Sequence, residues 1–437
     1  MELRNFDNLD SHFESIAVNE DNKKEYGEVF SPPSLINEMI DAVLKVDTNL
    51  FKNKHIKILE PASGIGNYTF YLFKRLYLSL ATFIPDSQTR IDHILTNCLY
   101  MIETNEDSVN KCKKIFKDIS DVPLNIITGD ALKTVFPFKF DLIIGNPPYN
   151  KPFNDNKYGP ALYHLFILYY LDRCRILSFI TPSRWLKANK QFDEIRRKIF
   201  KRGDMVSIKH FDLACQLFKT KAIDICGGVS YFIKDSMYNG PCNYNGDSID
   251  LSLFDILVNP KDIPLINAIQ DYPKLSDIHC PASYYRVASN DARCHLKQNK
   301  GDVLCHMSNK KGTTMYIDPT TLNREADRYI VIFNRIEHIS LFRDIRIVEP
   351  NQVFSGSFNG LFVNNMVEGQ SLVSYLKTNF ARKLLSLRKM TNGFSKKTIE
   401  WAVLPPLDRH WTDTELIKYY IDLNDYDFNF SENKKRR

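Results

Sequence analysis

The stretch DLIIGNPPYN, Asp141 to Asn150, constrains this chain more than any other. An apolar run with strand character ends at Asn146-Pro147-Pro148-Tyr149. Proline gives no N–H to a strand ladder, so two in succession cannot continue a central strand. They fix a rigid extended turn at the strand's carboxyl end. In open α/β sheets ligands bind outside those ends. The turn also has a chemical use. An amine on an aromatic ring is a poor nucleophile, because its lone pair is delocalised. The Asn146 side-chain oxygen and the Pro147 carbonyl are two acceptors for the amine's two hydrogens. Holding both favours a tetrahedral nitrogen whose lone pair points at an electrophile. Pro148 stiffens the turn, and Tyr149 can stack on the ring. A plain strand-to-loop turn is the alternative, and a second motif weighs against it.

That motif is ILEPASGIGNYTF, Ile58 to Phe70. A short strand enters Gly64-x-Gly66 and then a helix. The glycines let backbone approach a ligand closely. The pattern departs from the GxGxxG of dinucleotide folds. Glu60, at the strand end, can meet the ammonium of an amino acid, directly or through water. Pro61, Ala62 and Ser63 complete the turn. This set suits S-adenosylmethionine better than a pyrophosphate. An acidic residue should end the second strand and bind ribose hydroxyls. Glu103 fits, although it lies 39 residues after Gly64, against about 20 in the usual unit. An insertion over 81–95 accounts for the gap. Asp130 and Ala131, in Gly129-Asp130-Ala131, close the third strand, and Asp130 can accept from an adenine amine.

The remaining patterning places these motifs in one fold. Apolar residues at Leu35, Ile36, Met39, Ile40, Val43 and Leu44 have helical spacing over Ser34–Val46. Helices are predicted over Tyr68–Leu80, Asp107–Lys117 and Leu162–Cys174. Strands are predicted at Lys57–Leu59, Cys98–Ile102, Leu124–Thr128, Phe140–Ile144, Ile176–Ile180 and Val229–Ile233. The alternation predicts a doubly wound, mostly parallel α/β sheet. After about Pro260 the rhythm changes to strand-like pieces such as Tyr329–Phe333 among loops. One amphipathic helix is then predicted over Leu372–Met390. The expected division is a polar segment 1–25, a catalytic domain 26–240 and an α+β domain 260–437.

Composition bounds the function. The chain has 437 residues, 43% hydrophobic and 25% charged, enough for two or three domains. No run reaches the ~18 apolar residues of a membrane span, and the polar N-terminus lacks a signal-peptide core. A soluble, cytoplasmic protein is expected, or one inside the host cell if a phage or virus encodes it. Residues 261–437 carry 26 Lys+Arg against 20 Asp+Glu, which is the whole net charge of +6. That excess fits nucleic acid and equally fits solubility. The nine cysteines include no CxxC pair. His279-Cys280, Cys294-His295 and Cys305-His306 are candidate zinc ligands. Adjacent residues point to opposite faces of a strand, so ordinary packing of reduced thiols is expected and no metal.

GEVFSPP (Gly27 to Pro33), EPASGIG, GDA and NPPY, in that order, resemble the gamma class of amino DNA methyltransferases. TPSRWLK (Thr181 to Lys187), DICGGVSYFI (Asp224 to Ile233) and SYLKTNFARKLLSLRK extend the likeness to the Eco57I-like branch of restriction-modification methylases. The resemblance covers most of the chain, weakly from 240 to 330. It implies a Rossmann-like, S-adenosylmethionine-dependent fold and methylation of adenine N6 in double-stranded DNA. The target adenine would be extruded from the duplex. Phe30, Ser31 and Pro32 would pack over the cofactor's methionine end. An aromatic residue would cover the far face of the flipped base, with Phe218 the best match and Phe211 and Tyr231 nearby. Asn146 would lie next to both cofactor and base. Residues from about 260 would read the sequence, through loops bearing Arg286, Arg293, Lys310, Lys311 and Arg324. About 26 residues precede the first motif, so no N-terminal nuclease is expected. A monomeric methylase acting alone or beside a separate restriction endonuclease is implied. The alternatives are RNA N6-adenine methylation and methylation of a protein glutamine amide. The second shares NPPY but lacks a long C-terminal domain.

Overall fold

The computed structural model describes residues 31–151, 159–218, 225, 227–308, 314–336, 344–389 and 393–421. It divides into two compact units. The first comprises the described residues up to Leu186 together with Lys190–Asp255. The second comprises Lys187–Asn189 and the described residues from Ile256 onward.

The first unit is a nine-stranded sheet. Its strands are β1 (Ile58–Pro61), β2 (Leu99–Glu103), β3 (Asn125–Thr128), β4 (Phe140–Gly145) and β5 (Cys174–Pro182), followed by β6 (Met205–Phe211), β7 (Val229–Asp235), β8 (Cys242–Tyr244) and β9 (Asp247–Ile249). Their spatial order is β3-β2-β1-β4-β5-β7-β6-β8-β9. β1 to β5 run parallel, and β7 is antiparallel to both β5 and β6. The chain winds from β1 out to β3, then returns to lay β4 beside β1. That reversal is a topological switch point, where a crevice opens at the carboxyl ends. β1, β5 and β7 are almost wholly buried, as strands covered on both faces must be. The antiparallel β7 and the β8–β9 hairpin separate this sheet from the six-stranded dinucleotide order.

The helices are α1 (Pro33–Val46), α2 (Asn67–Ser79), α3 (Ser87–His93), α4 (Glu106–Lys117), α5 (Tyr163–Tyr170) and α6 (Asp193–Phe200). Proline at its first position suits α1, since that N–H would have no helical partner. The predicted face of α1 is the buried one: Leu35, Ile36, Met39, Ile40 and Val43. Each such side chain contributes about 1.5–3 kcal/mol, against roughly 0.5–1.5 for a hydrogen bond. Apolar burial therefore dominates in holding the Ser31–Pro32 segment. The insertion over 81–95 is ordered. It holds α3, capped by the Asp86 carboxylate on Thr89 N, and runs into a π-helical turn, Ile94–Cys98.

Two predicted helices differ. The one expected over Leu162–Cys174 ends at Tyr170, and Cys174 already belongs to β5. The Arg173 amide turns back to the Tyr170 carbonyl, and the Arg173 carbonyl accepts from Phe140. Pairing with β4 overrode the helical period. The helix expected over Leu372–Met390 is two helices, α8 (Met366–Leu376) and α9 (Asn379–Arg388); Met390 lies outside the described residues. Thr378 breaks it in extended backbone and caps α9 through its hydroxyl on Ala381 N.

The second unit also contains α7 (Ile263–Ile269) and α10 (Asp413–Tyr420). One of its sheets is antiparallel, in the order β10 (His279–Cys280), β16 (Phe358–Val363), β13 (Tyr329–Asn334), β14 (Ile345–Val348). The other orders β12 (Met315–Ile317), β11 (Val303–His306) and β15 (Gln352–Phe354). Ile330, Ile332, Val348, Val353, Phe354 and Phe358 form much of a shared core, with Cys280 and Cys305 in it. The Cys294 and Cys305 sulfurs lie 3.8 Å apart. His295 contacts Asp302 and His306 contacts Gln352. No cluster of three metal-ligating side chains occurs among the described residues. No described helix is long and apolar enough to cross a membrane.

Candidate active site

The carboxyl ends of β1, β2 and β4 are neighbours, and each carries a motif the sequence singles out. At β1 the backbone turns sharply. Ala62 has φ +99, Gly64 +54 and Gly66 +91. The amides of Ala62 and Ser63 both donate to the Ile102 carbonyl, which ties this turn to β2. A Cβ on Gly66 would lie 3.0 Å from Cys112 Sγ and 3.1 Å from Phe116, so the glycine lets α2 start against α4. A left-handed alanine is strained by about 1–3 kcal/mol, a cost that functional turns often carry.

Glu103 closes that turn from β2. Its Oε2 accepts from Gly64 N at 2.8 Å, and its Oε1 from Asn105 N at 2.8 Å. The 39-residue separation therefore does not displace it from the glycine turn. Glu60 is 3% exposed. Its Oε2 accepts from Thr69 N at 2.8 Å and from Thr69 Oγ1 at 2.5 Å. Burial pushes its pKa up to about 8, against the pull of the Thr69 bonds. Ser63 Oγ and Asn67 Oδ1 are buried beside this turn without a partner among the described residues. Asp130 is exposed and caps its own turn, accepting from Leu132 N at 2.9 Å; Ala131 is buried, and its carbonyl accepts from Tyr170.

At β4 the Asn146–Tyr149 turn follows Gly145, which lies against Glu60 and Pro61. Asn146 Nδ2 donates to Ser31 Oγ at 3.3 Å, and the same oxygen accepts from the Tyr68 hydroxyl at 3.1 Å. Ser31, before α1, thus links the β4 turn to the start of α2. Pro32 is the N-cap of α1, and Phe30 lies outside the described residues. Beyond Pro147 and Pro148, Tyr149 is 8% exposed and packs edge-on against Tyr163, centroids 6.4 Å apart. The Leu162 amide donates to the Tyr149 carbonyl, so the turn is closed by the entry to α5. Burial raises the Tyr149 hydroxyl well above its usual pKa.

Phe218 is buried and caps a single helical turn after β6, Ala214–Leu217, and no ring contact joins it to Tyr149 among the described residues. Phe211 and Tyr231 contact each other at 6.1 Å, and the Tyr231 hydroxyl donates to Glu38 on α1.

Sequence reasoning missed a chain of hydrogen bonds at the same sheet edge. Ser183 Oγ lies 2.8 Å from His210 Nδ1, and His210 Nε2 3.1 Å from Asp212 Oδ1. The order invites comparison with a hydrolytic triad, but Ser183 is 0% exposed and cannot meet a substrate. Its amide donates to the Gly228 carbonyl, and the His210 ring lies over Gly228. These residues fasten β5, β6 and β7 at the roots of the loop that carries Phe218. No local motif announces them, because they meet only through strand pairing. Thr69 lies inside the ILEPASGIGNYTF motif, and the turn into α2 brings it back onto Glu60.

Residues 69–218 match the family model described as Eco57I restriction-modification methylase. A Mycoplasma pneumoniae protein described as an uncharacterized adenine-specific methylase is 24% identical over 289 residues, 49% of this chain and 68% of that protein. Among solved structures, the fold is similar to a nuclease-deletion mutant of the Type ISP restriction-modification enzyme LlaGI in complex with a DNA substrate mimic. The TM-score is 0.56 at 13% identity, over 90% of this chain and 47% of that one. It is also similar to the Type IIL restriction-modification enzyme MmeI in complex with DNA, with TM-score 0.50 and 12% identity over 90% of this chain and 69% of that one. The chain spans less than half of the LlaGI chain. At these identities the likeness concerns the fold.

Proposed function

We infer that this chain is an adenine-specific DNA methyltransferase of the restriction-modification type, using S-adenosylmethionine. One observation carries the reading: the Asn146–Tyr149 turn and the Glu60–Gly66 turn end adjacent parallel strands, and Asn146 is hydrogen-bonded into the Ser31 segment. A site for an aromatic amine therefore abuts a cradle of positive-φ backbone. The residues present fit the cofactor. Ser63 Oγ and Asn67 Oδ1 are buried polar atoms awaiting partners there. Glu60 offers a carboxylate that a cationic ammonium would return to its charged form. Glu103, fixed by two amides, has lone pairs left for ribose hydroxyls. Asp130 and Ala131, with Ser31, Pro32 and Phe30, complete the proposed contacts.

Bound S-adenosylmethionine supplies an electrophilic methyl group. The protein's part is positioning and electrostatics. Asn146 Oδ1 and the Pro147 carbonyl accept the two hydrogens of adenine N6, turning its lone pair outward. Tyr149 supplies one apolar face and Phe218 the other. Extrusion exposes the amine and costs a few kcal/mol of stacking. The second unit carries the basic excess and takes phosphates and base edges of double-stranded DNA. We further infer a monomer acting inside the cell.

The direct test is incubation with methyl-labelled S-adenosylmethionine and duplex DNA, then nucleoside analysis. Label in N6-methyladenine is the expected product. Label in cytosine, in RNA alone, or in a protein glutamine overturns the reading.

A further inference from the structure

The segment Leu322–Arg328 in the second unit, LNREADR, has a regular division of labour. Leu322 and Ala326 pack against the core. Asn323 Nδ2 donates to the Tyr284 carbonyl at 3.4 Å, and Asn351 N donates to the Ala326 carbonyl at 2.6 Å. Arg324, Glu325, Asp327 and Arg328 are left exposed. The Arg324 guanidinium carbon lies 4.8 Å from the centre of the Tyr284 ring, and that of Arg328 lies 5.8 Å from the Phe362 ring. The two rings meet edge to face at 5.2 Å. The result is a continuous arginine–tyrosine–phenylalanine–arginine array.

Neither arginine has a carboxylate within ion-pair distance among the described residues, although Glu325 and Asp327 are their neighbours in the chain. Arg293 is the contrast. Asp291 binds it at 2.9 and 2.8 Å, and the carbonyls of Thr321 and Arg286 accept from it. Those four bonds use its donors to hold a loop, so Arg293 is removed from the readers expected above. Lys310 and Lys311 lie outside the described residues.

We propose that Arg324 and Arg328, laid on Tyr284 and Phe362, read guanine edges in the major groove of duplex DNA. The proposal rests on the methyltransferase reading above. Stacking on a ring restrains the guanidinium plane and leaves its fork of N–H groups facing outward. Guanine presents O6 and N7, the acceptor pair that fork matches. The two carboxylates argue for bases over backbone. They make the array electrically neutral, which a phosphate clamp would not be. They can also accept from cytosine N4, the donor on the same base pair.

The test profiles methylation on a random-sequence duplex library by the full chain and by Arg324→Ala, Arg328→Ala, Arg324→Lys and Arg293→Ala. Arg324→Ala, Arg328→Ala and Arg324→Lys are expected to lose about tenfold or more discrimination at a G·C position of the parent motif. Their melting temperature and S-adenosylmethionine affinity stay at parent values. Arg293→Ala keeps the motif and melts earlier. An unchanged motif in both Arg324→Ala and Arg328→Ala overturns the proposal. So does uniform weakening at all sites with a shallower salt dependence, which marks a phosphate contact. A parent that labels no DNA refutes the methyltransferase reading itself, and the proposal with it.

Discussion

In the first unit Glu60 and Glu103 are held in hydrogen bonds from backbone amides, whereas in the second Arg324 and Arg328 lie on aromatic rings. Glu60 and Glu103 are each less than a tenth exposed and end parallel strands. Arg324 and Arg328 are exposed on an irregular segment. Chemistry on one extruded base needs groups placed to fractions of an ångström, and buried strand ends supply that rigidity. Reading bases still in the stack needs donors that reach a groove, and an exposed segment supplies those. Two left-handed glycines, one in each unit, also contrast. Gly228 has φ +71, and a Cβ there would lie 2.2 Å from the Phe211 carbonyl oxygen. Gly301, in the second unit, has φ +93 with nothing within 4 Å.

The largest effect is expected at Asn146. Asn146→Ala should lower methyl transfer by roughly two to three orders of magnitude or more, the scale of losing one pre-positioned polar contact. Calorimetry should show cofactor affinity near the parent value. A variant with slow transfer because it no longer binds cofactor would move Asn146 from the amine to the cradle.

Next comes the glycine pair. Gly301→Ala should cost about 1–3 kcal/mol from backbone conformation alone. Gly228→Ala should cost more, because the clash is added and the His210 contact is disturbed. Denaturant unfolding of the two variants checks the order. Equal losses would mean that the first unit's edge relaxes as freely as an open loop.

A third test is a pH dependence at Glu60. Its folded pKa, about 8, is raised above the unfolded value by burial. A raised carboxyl contributes stability that is present below the unfolded pKa and lost as pH rises toward 8. Glu60→Gln should remove that loss, so the variant gains on the parent between about pH 5 and 8. Binding of the cationic cofactor should pull the group back to its charged form. Affinity should then rise toward pH 8 with release of up to one proton, readable by calorimetry in buffers of different ionisation enthalpy. A flat profile would place the ammonium away from Glu60.

Much of this was legible before the fold was known. Six of the first unit's nine strands, the order of motifs and the buried face of α1 follow from local period, since a strand or helix face must match the core it covers. Asn146, Glu60, Gly64, Gly66 and Glu103 sit at strand ends, as the doubly wound pattern requires. The break at Thr378 was hidden, because a single capping hydroxyl ended a pattern whose apolar spacing continues. The early end of α5 was hidden because pairing with β4 competes with a helical period that reads equally well.

The sequence by itself determined which chemical groups are present and which local elements carry them. It could not say which groups meet across the sheet. Gly64 on Glu103 and Ser31 on Asn146, 39 and 115 residues apart in the chain, are contacts set by register and crossover. Ser183, His210 and Gly228 come from three strands and share no motif. Arg293 and Arg324 look alike as letters in a basic loop, yet one is bound by Asp291 and the other rests on Tyr284. The physical reason is range. Propensity and period act over a few residues, whereas a hydrogen bond or a ring contact is decided by what the folded chain brings within about 3–6 Å.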